Sequence, residues 1–265
     1  MQIREVFDRK RFVFLDGGMG TQLQARGLQP GQKPELAALE MPEVLTAIHT
    51  DYANAGADIL LANTFGANAK KLTGCGHTVE EVVSASIACA RKAAETTGAC
   101  VALDIGPLGE LLVPAGTLAF EDAHNEFAQV IRAGAAAGAD LVFLETMTDL
   151  YELKAAILAA RENCDLPVFT SMSFESRGRT FTGCTVESYA VTAAGLGADA
   201  VGMSTAPEVI TAGHCGMEVL GFTLVSNMAA GVLPKKLSEE EVLEAAAAAR
   251  DRFSSLVLAC LEHLN

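Results

Sequence analysis

The chain alternates short apolar runs with amphipathic stretches along most of its length. Short, near-continuous apolar runs are typical of strands buried on both faces of a parallel sheet, whereas apolar residues every three or four positions are typical of helices. The runs predict strands near 11–16, 57–63, 100–104, 139–145, 167–173, 198–204 and 221–226. The stretches between them predict helices near 41–56, 79–97, 121–138, 149–162, 185–196, 207–218 and 239–253.

Each predicted strand and the helix after it form one βα unit, the building block of a parallel sheet. The tripeptide Gly-Ala-Asp recurs at 56–58, 138–140 and 197–199, where its glycine suits the end of a helix. A length of 265 residues fits one α/β barrel, which typically has about 250. We therefore expect an α/β fold, a (β/α)8 TIM barrel, as a single domain over residues 1–265.

The last βα unit is incomplete in this pattern. Ser238 and Glu241 form a capping-box pattern, which predicts a helix start. Residues 254–264 fit a closing strand, which we favour because a barrel without it would expose two sheet edges. The same residues also fit a continuation of the preceding helix. No outer helix follows, so one flank of the barrel is expected to be bare, which leaves room for a homo-oligomer.

Charge and composition exclude several classes of protein. The formal net charge of −14 argues against binding nucleic acid, which requires clustered Lys and Arg. No apolar run approaches the ~20 residues of a membrane helix, and the charged N-terminus does not resemble a signal peptide. The seven cysteines include no CxxC pair, so we expect a cytoplasmic protein in which Cys89, Cys100, Cys164 and Cys215 are small buried apolar residues.

Polar residues stand where several predicted strands end. Asp16-Gly17-Gly18 follows the first, Asn63-Thr64-Phe65 the second, Asp104-Ile-Gly-Pro the third and Glu145-Thr-Met the fourth. The carboxyl ends of barrel strands form the active site of this fold. Two carboxylates brought together there, Asp16 and Glu145, require a compensating cation. The alternative is that Asp16 caps a loop and Glu145 caps the following helix.

These motifs resemble a known family. Asp16-Gly-Gly-Met-Gly-Thr21, Asn63-Thr-Phe-Gly-Ala67, Asp104-Ile-Gly-Pro107 and Glu145-Thr-Met-Thr-Asp149 are similar to motifs of homocysteine S-methyltransferases. Residues 109–114 and 149–155 resemble the homocysteine domain of cobalamin-dependent methionine synthase. The similarity extends over about residues 11–235, in order and with matching spacing.

The resemblance implies a binding site for a small amino acid or thiol. Asp16 and Glu145 would hold the ammonium group, next to the close-approach loop of Gly17 and Gly18. Asn63, Thr64 and Phe65 would shape a loop that offers backbone amides to the substrate carboxylate. Loop packing alone is the alternative for these three residues.

The resemblance also implies zinc, held by three cysteine thiolates that bind and activate the homocysteine sulfur. In this chain Thr205, Cys260 and Leu261 stand at those three positions. A hydroxyl, one thiol and an alkyl side chain do not make a zinc site, so we expect no metal and no firmly bound cofactor. A rebuilt site that uses Cys184 and Cys260 is the alternative.

The sequence therefore predicts a methyltransferase of the homocysteine type, with Glu145 and Cys184 as candidate acid–base residues. The methyl donor would be a methyl-corrinoid on a partner protein. Two alternatives stay open: a non-catalytic pseudoenzyme that binds an amino acid, and one component of a split, corrinoid-dependent methyltransferase.

Overall fold

The computed structural model describes residues 3–10, 13–174, 178–204 and 239–263. Within them five strands form: β1 (Ile59–Leu61), β2 (Cys100–Ile105), β3 (Leu141–Met147), β4 (Val168–Ser173) and β5 (Ala200–Ser204). The helices of these residues are α1 (Ile3–Arg9), α2 (Met19–Ala25), α3 (Ala37–Glu40), α4 (Pro42–Asn54), α5 (Ala69–Leu72), α6 (Val79–Ala94), α7 (Phe120–Ala136), α8 (Leu150–Asn163), α9 (Val186–Gly195) and α10 (Glu239–His263), with a 3-10 helix at Pro34–Leu36.

The five strands form one parallel sheet in the order β1-β2-β3-β4-β5. Each strand pairs with the next one in sequence, with Ile59 opposite Cys100 and Asp104 opposite Phe143. One long helix crosses over between successive strands: α6, α7, α8 and α9 in turn. This sequential order is that of an α/β barrel, whereas a doubly wound sheet reverses its order at a switch point.

The predicted elements agree with the observed ones to within a few residues. The strands predicted from 57 to 204 correspond to β1–β5, and the helices predicted from 41 to 196 correspond to α4, α6, α7, α8 and α9. The predicted helix at 207–218 and the predicted strand at 221–226 lie outside the described residues.

The predicted first strand, 11–16, is present only as a short pairing beside β1. Leu15 forms a parallel bridge with Ile59, and the Asp16 amide donates to the Ile59 carbonyl over 3.1 Å. Phe14 and Leu15 are 47% and 46% exposed, so the expected burial of this run is wrong for these two residues. Residues 11 and 12 lie outside the described part.

Side-chain caps mark the starts of three of the long helices, α6, α8 and α9. Thr78 and Glu81 form a reciprocal capping box at the start of α6. The Asp149 carboxylate accepts from the Glu152 amide at the start of α8, and the Thr185 hydroxyl accepts from the Ser188 amide at the start of α9. Each cap satisfies an amide that has no partner within its helix. The caps therefore limit the length of the loops that connect strand ends to helices.

The core lies between the sheet and its crossover helices. All six residues of β2 are buried: Val101, Leu103 and Ile105 pack among apolar residues of α6 and α7, whereas Cys100 and Ala102 pack with residues of α1 and the neighbouring strands. Gly134 of α7 lets that helix lie close to the sheet, because a Cβ there would be 2.4 Å from Leu103 of β2. The continuous apolar runs of the sequence therefore reflect strands covered by helices.

The chain divides into two compact units, residues 1–211 and 212–265. The described part of the second unit is α10, which runs without a break to His263. The prediction of a closing strand over 254–264 is therefore wrong, and the alternative of one long helix is correct. The physical reason is local: five consecutive alanines and no Gly or Pro between 239 and 263 favour a helix. The expected single domain over 1–265 stays a prediction.

Two expectations from composition can be compared with the described residues. Cys89 and Cys100 are buried and Cys164 is partly buried, as expected, whereas Cys215 lies outside the described part. None of the helices in the described ranges is long and apolar enough to cross a bilayer.

Candidate functional site

A cavity of about 420 Å³ lies at the carboxyl ends of the first strands. Six of the predicted site residues line it: Asp16, Gly17, Gly18, Asn63, Phe65 and Glu145. Asp104, which the sequence places at a strand end, lines it as well. The volume is within the usual range for a small-molecule site.

Asp16 lies at the end of the segment that pairs with β1. Its Oδ2 accepts a hydrogen bond from the Leu61 amide at 3.0 Å, while Oδ1 is buried without a hydrogen-bond partner among the described residues. Burial, together with the negative charge of Glu145, raises the pKa of Asp16 to about 7, although the bond from Leu61 opposes this shift. Asp16 is therefore a buried carboxyl with one oxygen available to a ligand.

Asp104 and Glu145 lie at the ends of β2 and β3 and are hydrogen-bonded to each other. Burial is the largest cause that raises the pKa of each carboxyl, and the negative charge of Glu145 raises that of Asp104 further. Asp104 therefore keeps the proton and donates a hydrogen bond to the Glu145 carboxylate. A second Asp104 oxygen, Oδ1, is buried and has no hydrogen-bond partner within the described ranges.

The backbone next to Glu145 is irregular. Thr146 has a φ of 54°, in the left-handed region that a β-branched residue rarely adopts, and the register of β3 against β4 shifts between Leu144 and Met147. The Thr146 amide donates to the Ser171 hydroxyl at 2.8 Å, which holds this bulge in place. Bulges re-aim side chains next to functional sites. Here the bulge sets the position of Glu145 at the cavity.

The glycine loop after Asp16 packs against Tyr52 of α4. A Cβ at Gly17 would lie 3.0 Å from the tyrosine ring, and the Tyr52 hydroxyl donates to the Gly18 carbonyl over 3.1 Å. A larger residue at position 17 would have to displace this ring. The loop therefore brings bare backbone to the cavity, as the sequence predicts for Gly17 and Gly18.

The Asn63-Thr64-Phe65 loop has divided roles. Asn63 lines the cavity, and its side-chain amide donates to the Pro34 carbonyl at 2.6 Å. Thr64 does not line the cavity; its hydroxyl donates to the Asp104 carbonyl at 2.7 Å and accepts from the Asp104 amide at 3.1 Å. Thr64 thus ties the end of β1 to the end of β2, which matches the alternative of a structural loop role for this residue.

Phe65 packs directly on the backbone of Gly106. A Cβ at Gly106 would lie 2.4 Å from the Phe65 ring, and the Gly106 amide donates to the Phe65 carbonyl at 2.9 Å. Two side chains bind the backbone directly after Gly106. Lys71 donates to the Pro107 carbonyl, and Glu152 accepts from the Leu108 amide, both at 2.7 Å. Burial raises the pKa of Glu152 to about 7.

His49 of α4 lies behind Asp16 and is fully buried. Its Nδ1 is 3.9 Å from Asp16 Oδ2, too far for a hydrogen bond, and neither ring nitrogen has a hydrogen-bond partner among the described residues. Burial lowers the pKa of His49 to about 4, so the ring is neutral at physiological pH. It therefore supplies no positive charge to Asp16.

Cys184 is not among the described residues that line the cavity. Its thiol donates to the Thr185 carbonyl at 3.2 Å, and burial followed by the negative charge of Asp149 raises its pKa. A thiol of this kind is less ionised than a free cysteine. The structure thus does not bring Cys184 together with Asp16 and Glu145.

The cavity is strongly acidic. Glu35 joins Asp16, Asp104 and Glu145 in its lining, and the lining residues in the described part include no Lys or Arg. Carboxyl groups that share a site oppose one another's ionisation, and a bound cation removes that opposition. The arrangement is therefore suited to receive a positively charged group.

A family model for homocysteine S-methyltransferase matches residues 13–253. The chain belongs to the homocysteine S-methyltransferase family. The family expected from the strand-end motifs is thereby confirmed, and with it a relationship to methyl transfer in general. The cavity described above lies within the matched residues.

Similarity to individual members of this family covers about three quarters of the chain. Methionine synthase from Mycobacterium tuberculosis is 32% identical over 220 residues, covering 74% of this chain and 18% of that protein. The Escherichia coli homocysteine methyltransferase MmuM in its oxidized form matches with a TM-score of 0.70 at 22% identity, covering 76% of each chain. This structural likeness confirms the predicted α/β barrel. The chain spans less than a fifth of the methionine synthase that it matches.

Other relatives belong to a different class of enzyme. Purine nucleoside phosphorylase from Cellulomonas sp is 47% identical over 113 residues, which cover 42% of this chain and 38% of that protein. Purine nucleoside phosphorylase 1 from Geobacillus stearothermophilus is 49% identical over 69 residues, covering 26% of this chain and 25% of that one. These matches are shorter than the match to methionine synthase but higher in identity.

The residues of the site that the sequence analysis does not assign to it include Glu35, Asp104, Thr146 and His49. Asp104 stands at a strand end within a family motif, so the rule that identified Asp16 and Glu145 would also have found it. The positive φ of Thr146 and the burial of His49 have no comparable sequence signal, because both depend on tertiary packing.

Proposed function

We propose that the cavity binds a small amino acid with a thiol side chain, of the homocysteine class, and that the protein takes part in methyl transfer to its sulfur. The observation that carries this proposal is the presence of Asp16, Asp104 and Glu145 in one cavity of a member of this family. Buried carboxyl groups without a basic neighbour favour a cationic ligand, and the ammonium group of an amino acid is one.

Each part of the amino acid has a matching part of the site. The free oxygen of Asp16 and the carboxylate of Glu145 receive the ammonium group. The backbone of Gly17 and Gly18 and the loop at Asn63 and Phe65 offer amides to the substrate carboxylate. The cavity lining combines these carboxyl groups with the backbone of a glycine loop, which supports this assignment.

Methyl transfer requires little covalent participation by the protein. The sulfur lone pair attacks the methyl carbon, a carbon–sulfur bond forms as the bond to the donor breaks, and the donor keeps that electron pair. The thiol proton passes to a carboxylate, and Glu145 is the candidate because burial raises its pKa toward that of a thiol. Cys184 is a weaker candidate, since it does not line the cavity within the described residues.

The methyl donor comes from outside the described site. We propose a methyl-corrinoid on a partner protein, which the similarity to a methionine synthase supports. The free thiols of the described residues favour a reducing compartment, and on this ground we place the protein in the cytoplasm.

Calorimetric titration tests the binding step. L-Homocysteine is compared with 4-mercaptobutanoic acid, which lacks only the amino group; we expect at least ~10-fold weaker binding of the latter, from the loss of a charge-assisted hydrogen bond. Asp16→Asn and Glu145→Gln should each weaken homocysteine binding, whereas Glu121→Gln, at an exposed position on α7, should not. If both site variants bind homocysteine as the wild type does, the assignment of these carboxylates is wrong.

Turnover separates the enzyme from its alternatives. The protein is incubated with homocysteine and free methylcobalamin, and methionine is measured by mass spectrometry. Methionine formation supports a methyltransferase. Turnover only after addition of a methylated corrinoid protein supports the partner-bound donor, as in a split, corrinoid-dependent methyltransferase. Binding without turnover under either condition identifies a non-catalytic binder.

Binding of a purine nucleoside is a second candidate, favoured by the 47% identity to a phosphorylase. Because the chain spans 38% of that enzyme, binding is the property to test. Titration with inosine, with and without phosphate, measures it, and the absence of heat or of a thermal shift would remove this candidate.

A further inference from the structure

The residues at the three positions of the family's zinc site do not supply its metal ligands. Those positions hold Thr205, Cys260 and Leu261. Cys260 and Leu261 belong to α10, a helix, and not to the end of a barrel strand. One hydroxyl, one thiol and one alkyl group do not supply the three ligands that zinc requires. The residues therefore do not fit the metal, and the mismatch falls entirely after β5.

The chain is similar to two classes of enzyme, and the shares of the chain that the two similarities cover are complementary. The matches to methionine synthase and to MmuM cover 74% and 76% of the chain, which leaves about a quarter. The match to the Geobacillus phosphorylase covers 26%. The longer Cellulomonas match and the family model extend across this division, but 49% identity over 69 residues is well above the 32% found with methionine synthase.

The quarter that is left over lies at the C-terminal end. The methyltransferase motifs run in register from Asp16 to Ala155, so only residues 1–15 precede them and residues 156–265 follow them. A match of 69 residues that does not overlap these motifs lies in the second stretch, and on this ground we assign the phosphorylase similarity to it. The boundary between the two compact units, after residue 211, falls there too.

We propose that the chain is a composite of two families. The part up to β5 is a homocysteine methyltransferase barrel segment, and the last quarter, which ends in α10, derives from a purine nucleoside phosphorylase. The strand ends that carry the family's metal ligands have therefore been replaced as a block, not lost by single substitutions. This accounts for the helix found in place of a closing strand, and it holds whether or not the cavity binds an amino acid.

Restoring the thiol side chains tests whether the zinc ligands were lost by single substitutions (point loss) or by replacement of the whole C-terminal segment. In the full chain, Thr205→Cys and Leu261→Cys are combined, so that with the native Cys260 all three positions carry thiols. After point loss, the double variant would bind about one equivalent of zinc by elemental analysis. In a composite the positions are not equivalent to those of the family, so the zinc content should stay near zero, as in the wild type. One equivalent in the variant would overturn the proposal.

A second measurement does not depend on the folding of that variant. Wild-type protein labelled with 13C-cysteine reports the backbone conformation at Cys260 through its Cα and Cβ chemical shifts, with the signal assigned by its loss in Cys260→Ser. Helical shifts are expected, since the phosphorylase-derived segment ends in α10. Strand-like shifts would show a closed methyltransferase barrel and would contradict the composite.

As a matched control for the zinc experiment, Thr205→Ser with Leu261→Met changes the same positions without adding thiols.

Discussion

Asp104 donates a hydrogen bond to Glu145 between the ends of β2 and β3. Two carboxyl groups can share such a bond only while one of them holds a proton. Burial and the negative charge of Glu145 both raise the pKa of Asp104, so the proton resides there. The pair therefore carries at most one negative charge, and a cation bound at Glu145 meets a single carboxylate instead of two.

Asp104→Asn should be tolerated, whereas Asp104→Ala should not. The asparagine amide can donate to Glu145 as the protonated acid does, so we expect little change in the thermal midpoint at pH 7. Alanine leaves the partly buried Glu145 without its donor, which costs about 0.5–1.5 kcal/mol, or roughly 2–4 °C of midpoint for each kcal/mol in a chain of this size. Differential scanning calorimetry of both variants makes the comparison. Equal destabilisation by the two substitutions would contradict the assignment of the proton to Asp104.

Homocysteine binding should strengthen as the pH rises from 5 to 8. The pKa of Asp16 is raised to about 7, so this carboxyl is mainly protonated at pH 5 and mainly ionised at pH 8, while the ligand ammonium stays charged throughout. The dissociation constant should therefore fall by up to about a hundredfold, tenfold per pH unit below the pKa. Titrations across this range measure the change, and the dependence should be flatter in Asp16→Asn. A wild-type affinity that is constant from pH 5 to 8 would exclude Asp16 as the charge-bearing ligand.

The sequence predicts the barrel segment well because its signal is local and repeated. Apolar runs mark β1–β5, and caps such as Thr78 and Asp149 mark helix starts, so neither depends on knowing the tertiary structure. The strand-end rule also brings Asp16 and Glu145 to one cavity, as observed.

Other features of the site depend on contacts between distant residues and leave no periodic pattern. The bulge that positions Glu145 rests on Thr146 and Ser171, and the burial of His49 rests on the packing of α4. The expectation of a closing strand rests on barrel closure and is wrong, because the alanine-rich sequence of α10 indicates a helix by itself.

Glu152→Gln should stabilise the protein at high pH and have little effect at low pH. The pKa of Glu152 rises from 4.5 unfolded to about 7 folded, so the unfolded chain loses this proton first. Its favourable contribution is thus complete below pH 4.5 and is lost as the pH rises to 7. Glutamine keeps the acceptor for the Leu108 amide without the buried charge, so its advantage over wild type should be roughly 2–3 kcal/mol larger at pH 8 than at pH 5.

Denaturant unfolding of wild type and Glu152→Gln at both pH values measures this difference. Glu121→Gln serves as the control, since position 121 is exposed. An advantage of Glu152→Gln that is the same at pH 5 and pH 8 would show that Glu152 is not a buried titrating group.

Gly106→Ala should disturb the cavity through Phe65. The added Cβ would lie 2.4 Å from the phenyl ring, which must move, and overpacking of this kind costs about 1–3 kcal/mol. Because Phe65 lines the cavity, ligand affinity should fall together with stability. Phe65→Leu removes most of the clash, so the double variant should recover much of the stability that Gly106→Ala loses. Gly195→Ala is the matched control, since a Cβ at the end of α9 meets nothing within 4 Å. Additive effects of Gly106→Ala and Phe65→Leu in a double-mutant cycle would show that the two residues are not coupled.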